Sequence, residues 1–242
     1  MKSTFKPEKI NRLMLKLSGE ILAGTSGFGF DDEVLGRLTD ELIELKNLGY
    51  TIAVVLGGGN IFRGGSSSNK SLSRVTLDNI GMLATIQNAL YLSEILLSKG
   101  CDAEVFSSFV LDKVAVHYSA PKVQAALSQG KICFVAGGTG NPYFTTDTAA
   151  VLRALELKLD IVLKATKVDG LYTADPMQDP HATFIQDASY QTCLQQRLRV
   201  MDLSAFSLAA ENSMPIKIFN ILKPQNLKAA LQDANTGTYI HP

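Results

Sequence analysis

Short apolar runs alternate along this chain with longer amphipathic stretches, and that alternation restricts the fold more than any other feature. The runs predict strands at Leu13–Leu17, Thr51–Leu56, Ala103–Phe106, Lys131–Ala136, Asp160–Ala165 and Pro215–Asn220. Between and after them, helices are expected at Glu33–Leu48, Asn79–Ser98, Pro121–Gln129, Thr146–Lys158, Leu203–Asn212 and Gln225–Gln232. In the first helix Val34, Leu35, Leu38, Leu42, Leu45 and Leu48 fall on one face, with Asp31 or Asp32 placed to cap it and Gly49 to end it. Such alternation predicts an α/β fold with a mostly parallel central sheet sandwiched between helices. Ligands of such sheets bind beyond the carboxyl ends of the strands.

A chain of 242 residues can form one large α/β domain or two lobes sharing a sheet. Formal net charge is zero, so no overall field draws in nucleic acid or a membrane surface, and neither is expected as a partner. Cys101, Cys133 and Cys193 have no metal-ligand or redox spacing, and Cys133 lies inside an apolar run where it packs as a small hydrophobe. The N-terminus lacks the apolar core of a secretory signal, and no apolar run approaches the ~20 residues needed to span a bilayer. A soluble cytoplasmic protein is expected.

Two strand-to-helix junctions look like anion sites. The apolar run Ile132–Val135 opens into Ala136-Gly137-Gly138-Thr139-Gly140-Asn141-Pro142-Tyr143-Phe144-Thr145-Thr146-Asp147, and Ile52–Leu56 opens into Gly57-Gly58-Gly59-Asn60-Ile61-Phe62-Arg63-Gly64. Glycines let main-chain N–H groups approach phosphate oxygens with no Cβ in the way. The Gly57–Gly59 run is neither a P-loop nor a full dinucleotide fingerprint. Arg63 nearby is either a bidentate phosphate donor or a surface residue.

Lys16 in Leu13–Leu17 and Lys164 in Ile161–Ala165 each interrupt an apolar strand near its carboxyl end. A lysine buried in a central strand is unfavourable unless it meets an anion; the alternative is a solvated edge strand. Asp147 is either a helix N-cap, sharing that work with Thr145 and Thr146, or the charge that holds both lysines. Asp78 reads as a possible N-cap, Asp169 and Asp175 as possible turn formers, and Tyr172 as core or as a ring against a base. Val168–Thr173 reads as a hairpin turn at Asp169-Gly170, and residues 174–190 as a longer loop.

In their order along the chain, Lys16-Leu17-Ser18-Gly19-Glu20, Gly57–Gly64, Gly81-Met82-Leu83-Ala84-Thr85, Gly138–Asp147, Lys164–Gly170, Thr173-Ala174-Asp175-Pro176, Val200-Met201-Asp202-Leu203 and Pro215–Asn220 resemble the bacterial uridylate kinases of the amino-acid-kinase fold. The resemblance covers nearly the whole chain. It implies one amino-acid-kinase-like domain over residues 1–242, its N-terminal part mainly the UMP site and subunit contact and its C-terminal part mainly the ATP site. It further implies transfer of a phosphoryl group from ATP to UMP with Mg²⁺ held mainly through nucleotide phosphates, in a homohexamer. Carried over by position, Lys16, Asp147 and Lys164 form the catalytic group. Lys16, Leu17, Ser18, Gly19, Gly59, Arg63, Thr166, Tyr172 and Asp175 meet ATP. Gly58, Asp78, Thr139, Gly140, Asn141, Pro142, Tyr143, Phe144, Thr145 and Thr146 meet UMP.

Two departures bear on these expectations. The family commonly has glycine before the ribose-binding aspartate, where this chain has Leu77 before Asp78. Residues 91–104 lack the arginines and histidine through which many relatives respond to GTP, so GTP activation is expected to be weak or absent. The Gly24–Gly29 loop, tied to allosteric communication in the family, is present, though it equally reads as an ordinary surface loop. Helix Asn79–Ser98 is apolar on most sides, which suits a subunit contact or a position deep within one lobe. The rival readings are a kinase of carboxylates, carbamate or isopentenyl phosphate on the same fold, and a nucleotide-sensing oligomer without turnover.

Overall fold

Side chains alternate across a strand, so each inner strand of this protein must supply two apolar faces. Leu13, Leu15 and Leu17 of β1 (Arg12–Leu17) join one core cluster while Met14 joins the other. The same division holds in β2 (Thr51–Leu56), where Ile52, Val54 and Leu56 oppose Ala53 and Val55. β3 (Ala103–Ser107), β5 (Ile132–Ala136), β6 (Ile161–Thr166) and β10 (Ile216–Asn220) complete the buried centre of the sheet.

The computed structural model describes residues 5–63, 71–176, 178–196, 198 and 201–242. Gly64 and Val200, named in the loops and motifs above, lie outside the described residues, as do residues 1–4. With the short strands β4 (Val116–His117), β9 (Asp187–Ser189) and β11 (Thr238–His241), the sheet has nine strands in the order β4-β3-β5-β2-β1-β6-β10-β11-β9. Every pairing is parallel except β10 with β11. Helices α2 (Asp32–Asn47), α3 (Arg74–Ser98) and α8 (Asn226–Gln232) cover one face. The other is covered by α4 (Ala120–Ser128), α5 (Thr146–Glu156), α6 (Tyr190–Gln195) and α7 (Leu203–Glu211). A short helix, α1 (Gly19–Leu22), follows β1 directly.

All predicted strands and helices are present, shifted at their ends by a few residues. Asp31 is the cap of α2, accepting from the Glu33 and Val34 N–H groups, and Gly49 ends it with φ +93°. Cys133 is fully buried, and desolvation pushes its thiol up to about 12.

Several local expectations are corrected. α3 begins five residues early, so Asp78 lies inside the helix and Ser73 stands at its N-cap. The Arg74–Asp78 ion pair, 2.7 Å at i,i+4, fixes that added turn. Leu77 is therefore helical, a conformation any residue adopts, and the missing glycine carries no backbone penalty. Asp169-Gly170 makes no hairpin, because β7 (Leu171–Tyr172) pairs with β8 (Phe184–Ile185) and not with β6. Gly170 is needed for space, since a Cβ there would come 2.4 Å from Thr238 Oγ1. The expected loop 174–190 thus contains β8, all of β9 and the first residue of α6. Finally, α3 is long and apolar enough to cross a bilayer by length and composition, contrary to the sequence expectation, but half of that window is buried inside this fold.

One buried group has a measurable consequence. Lys217 in β10 is fully buried; its Nζ donates to the Asp233 carbonyl at 2.8 Å and lies 3.5 Å from the Phe5 ring centroid. Desolvation lowers its pKa from 10.5 to about 8, against a smaller upward pull from Asp233. Between those values the unfolded chain holds a proton the folded one has released, so stability rises with pH across that window. The expected gain is at most about 3 kcal/mol. Urea unfolding across that pH range should show it in the wild type, and Lys217→Met should remove it.

Candidate active site

Pairing register places the first elements of the site. Lys16 and Lys164 are direct partners across the parallel β1–β6 ladder, so both side chains leave the same face of the sheet. On that face α5 begins, capped by Thr145, whose Oγ1 accepts from the Asp147 and Thr148 N–H groups at 3.0 and 3.4 Å. The cap directs Asp147 at the lysines. Lys16 Nζ is 2.7 Å from Asp147 Oδ1, and Lys164 Nζ donates to Oδ2 at 2.6 Å. Lys164 donates a hydrogen bond to Oδ2, whereas Lys16 lies at ion-pair distance from Oδ1 without forming one. The N-cap reading of Asp147 gives way to the charge-holding one.

All three groups are nearly buried. Burial alone would raise the Asp147 carboxyl, but the two ammoniums overcome it and hold the pKa below the usual carboxylate range. For Lys164 burial dominates and, with the Lys16 charge beside it, outweighs Asp147 and lowers the ammonium pKa. Two ammoniums and one carboxylate leave a local charge of 2 − 1 = +1. The N-terminus of α5 adds its dipole, so this corner of the fold attracts an anion.

The glycine loops close over the same end of the sheet. A Cβ on Gly19 would come 2.6 Å from both the Gly59 N and Asn60 Oδ1, and one on Gly58 would come 2.7 Å from the Gly81 carbonyl. Glycine is required here because two turns and a helix meet without room for side chains. Arg63 Nε donates to the Gly59 carbonyl at 3.0 Å, and its Nη2 lies 3.2 Å from Glu20. Ser18 occupies the N-cap of α1 between Leu17 and Gly19.

The Thr139–Thr146 segment is built by positive φ at Gly137, Gly138, Gly140 and Tyr143. Thr139 Oγ1 accepts from the Asn141 N–H at 3.1 Å, making a tight turn ahead of Pro142. Asp78 reaches this segment from α3, accepting from the Tyr143 N–H at 2.7 Å as well as from Arg74. Tyr143 and Phe144 are exposed beside it. Thr146 opens the helix.

Tyr172 and Asp175 share a separate cavity of about 540 Å³, also lined by Val168, Gly170 and Pro176, which includes neither lysine. Thr166 does not line it; its Oγ1 donates to the Val168 and Phe219 carbonyls and ends β6.

Sequence reasoning gave no role to several residues that hold this site. Asp202 caps α7 and accepts from the hydroxyls of Thr145 and Thr148, joining two helix starts. Buried Asn60 and Asn88 exchange side-chain hydrogen bonds and also bond the Gly29 and Gly57 carbonyls, tying the Gly24–Gly29 loop to the Gly57–Gly59 turn. Thr85 Oγ1 accepts from the Gly137 N–H at 2.8 Å. The available signal was a polar residue inside an apolar helix period, as at Thr85 and Asn88; the pairing itself needed three dimensions.

Among the described residues no group of three or more His, Cys, Asp or Glu side chains gathers as a metal cage. Both oxygens of Asp147 already face ammoniums. The donor set therefore fits a divalent ion carried on phosphate oxygens better than one held by side chains alone.

Comparison with known proteins agrees with this geometry. Residues 11–220 match the model of the amino acid kinase family. A uridylate kinase of Yersinia pestis (strain Pestoides F) is 45% identical over 229 residues, covering 95% of both chains. The crystal structure of a UMP kinase from Bacillus anthracis superimposes with a TM-score of 0.92 at 35% identity, over 96% of each chain. That of a UMP kinase from Ureaplasma parvum does so with a TM-score of 0.92 at 33% identity, over 97% of this chain and all of the other. With its parallel sheet, paired lysines and glycine turns, the chain belongs to the amino acid kinase family, among its uridylate kinases.

Proposed function

We propose that this protein is an ATP:UMP phosphotransferase, converting ATP and UMP to ADP and UDP for pyrimidine nucleotide synthesis. The observation that carries the reading is the Lys16–Asp147–Lys164 cluster, whose net positive charge sits beside the glycine turns at the carboxyl end of the sheet. Phosphoryl transfer needs alignment of donor and acceptor and cancellation of charge spread over the transferred group. The UMP phosphate is itself the nucleophile near neutral pH, so no general base is required.

Lys16 and Lys164 then stabilise the oxygens of the transferred group, and Asp147 keeps both ammoniums aimed. Leu17, Ser18, Gly19, Gly59 and Arg63 hold the ATP phosphates, and Thr166, Tyr172 and Asp175 the adenosine, for which the 540 Å³ cavity offers room. Gly58, Asp78 and Thr139 through Thr146 hold UMP. In this division the N-terminal part is mainly the acceptor side and subunit contact, and the C-terminal part mainly the donor side. A magnesium ion bound through the nucleotide phosphates lowers their negative charge. A coupled ADP-release assay tests the reading: turnover is expected with UMP and not with isopentenyl phosphate, with CMP a poor acceptor. Release with isopentenyl phosphate alone would refute it.

The proposal extends to assembly and regulation. The protein works in the cytoplasm as a homohexamer, in which the exposed Val75, Ile80, Leu83 and Tyr91 of α3 are covered by a neighbouring copy. Light scattering should give a hexamer, and a monomer refutes this arrangement. Residues 91–104 contain neither arginine nor histidine, so GTP is expected to change the rate by less than the roughly fivefold of ordinary allosteric coupling. Titrating GTP at subsaturating UMP measures that factor.

A further inference from the structure

Arg153 lies on α5, well inside the fold, with its side chain largely buried. Its Nη2 donates to the Thr139 carbonyl at 3.3 Å and to Ser108 Oγ at 3.2 Å. Ser108 Oγ in turn donates to the Gly138 carbonyl at 3.1 Å. Consecutive carbonyls of the Thr139–Thr146 segment's leading turn are therefore tied, directly and through one hydroxyl, to a single guanidinium.

The guanidinium is itself fixed from behind. Its Nη1 donates to Glu156 at 2.8 Å, its plane lies over the Tyr118 ring at 3.9 Å from the centroid, and the Tyr118 hydroxyl donates to the same Glu156 carboxylate. Burial is the main cause that pushes the Tyr118 phenol above its ordinary pKa, so it stays a donor. A planar fork stacked on an aromatic face and paired with a carboxylate is the geometry at which lysine cannot replace arginine.

A trans peptide sets its C=O and N–H in opposite directions. Holding the Gly138 carbonyl against Ser108 therefore points the Thr139 N–H away from Ser108. The positive φ values of Gly138 and Gly140, +58° and +81°, are the backbone conditions for that arrangement. Arg153 also leaves its buried Nε without a partner, a desolvation penalty that an apolar side chain of similar size would avoid. The charge contributes its grip on the turn.

We propose that Arg153 is a positioning residue for the phosphate acceptor: through Ser108 and the Thr139 carbonyl it sets the main-chain conformation of the Gly137–Asn141 turn that meets UMP. The identity of the acceptor rests on the uridylate-kinase reading; the tether does not. The test compares wild type, Arg153→Met, Arg153→Lys and Ser108→Ala by steady-state kinetics and by amide hydrogen exchange of residues 137–142. In Arg153→Met the KM for UMP is expected to rise about tenfold while the KM for ATP stays within about twofold, as expected for loss of a charge-assisted hydrogen bond acting on one substrate. Exchange in the turn should quicken about tenfold, and Arg153→Lys should fall between the two. Equal changes in both KM values, or a folded Arg153→Met with unchanged UMP KM and unchanged exchange, overturns the proposal. Should Arg153→Met fail to fold, Ser108→Ala carries the test, with faster exchange and a raised UMP KM expected and wild-type values for both overturning it. If the wild type releases no ADP with UMP, the functional reading falls, and exchange in the turn alone decides the tether.

Discussion

Asp147→Asn should lower kcat by about 10²–10³-fold, as expected for loss of organised charge at a phosphoryl-transfer site. It should also destabilise the protein by about 3–5 kcal/mol, the usual loss when one partner of a buried ion pair is removed. Asparagine keeps the shape of the side chain and the Thr145 cap of α5, so neither effect can be assigned to a lost helix start. What disappears is the charge between Lys16 and Lys164, which face each other across the β1–β6 ladder. Lys164 is already pushed toward its neutral form by burial and by Lys16, and without the carboxylate only the weaker pull of Asp202 offsets them. Steady-state rates and urea unfolding on the same samples separate the two losses. A variant with wild-type kcat would show that Asp147 serves only to hold the fold.

Lys16→Ala is expected to cut kcat by about 10²–10³-fold while UMP affinity changes far less. The sign of its stability effect should be opposite to that of Asp147→Asn, because it removes one of two like charges and leaves Asp147 paired with Lys164. The double variant should therefore be far from additive in stability, the mark of groups that act as one unit. Near-normal turnover in Lys16→Ala would remove this residue from catalysis.

The long elements of this fold were readable because each carries several turns or pleats of periodic apolar residues. Leu13, Leu15 and Leu17 against Met14, or Leu35, Leu38, Leu42 and Leu45 of α2, are patterns with few alternative explanations. β4, β7 and β8 span two residues each and were not readable, because a period of two cannot show itself in so short a stretch. Their pairing comes from tertiary context. Asp169-Gly170 misled for a related reason: glycine there makes room for Thr238, a residue far along the chain. Asp78 misled because Ser73, a residue type that caps equally well, stands at the N-cap five residues earlier.

The site divides along the same line. A lysine inside an apolar strand is visible as an anomaly, so Lys16 and Lys164 could be singled out, and Asp147 could be named as the charge between them with a helix N-cap as the alternative. Arg153, Ser108 and Asp202 sit at unremarkable positions of a helix, a loop and a helix start. Their importance lies in partners 14 to 57 residues away, which no local window contains.

Because the two ammoniums are neighbours on adjoining strands, their separation is set by hydrogen-bonded backbone rather than by any loop. Sliding β1 past β6 by one residue would throw Lys16 onto the opposite side of the sheet, away from its counterpart and from α5. The ladder thus serves as a ruler for the chemistry. New acceptors can be accommodated by editing the turns above it, while the distance between the charges that steady the moving group stays untouched.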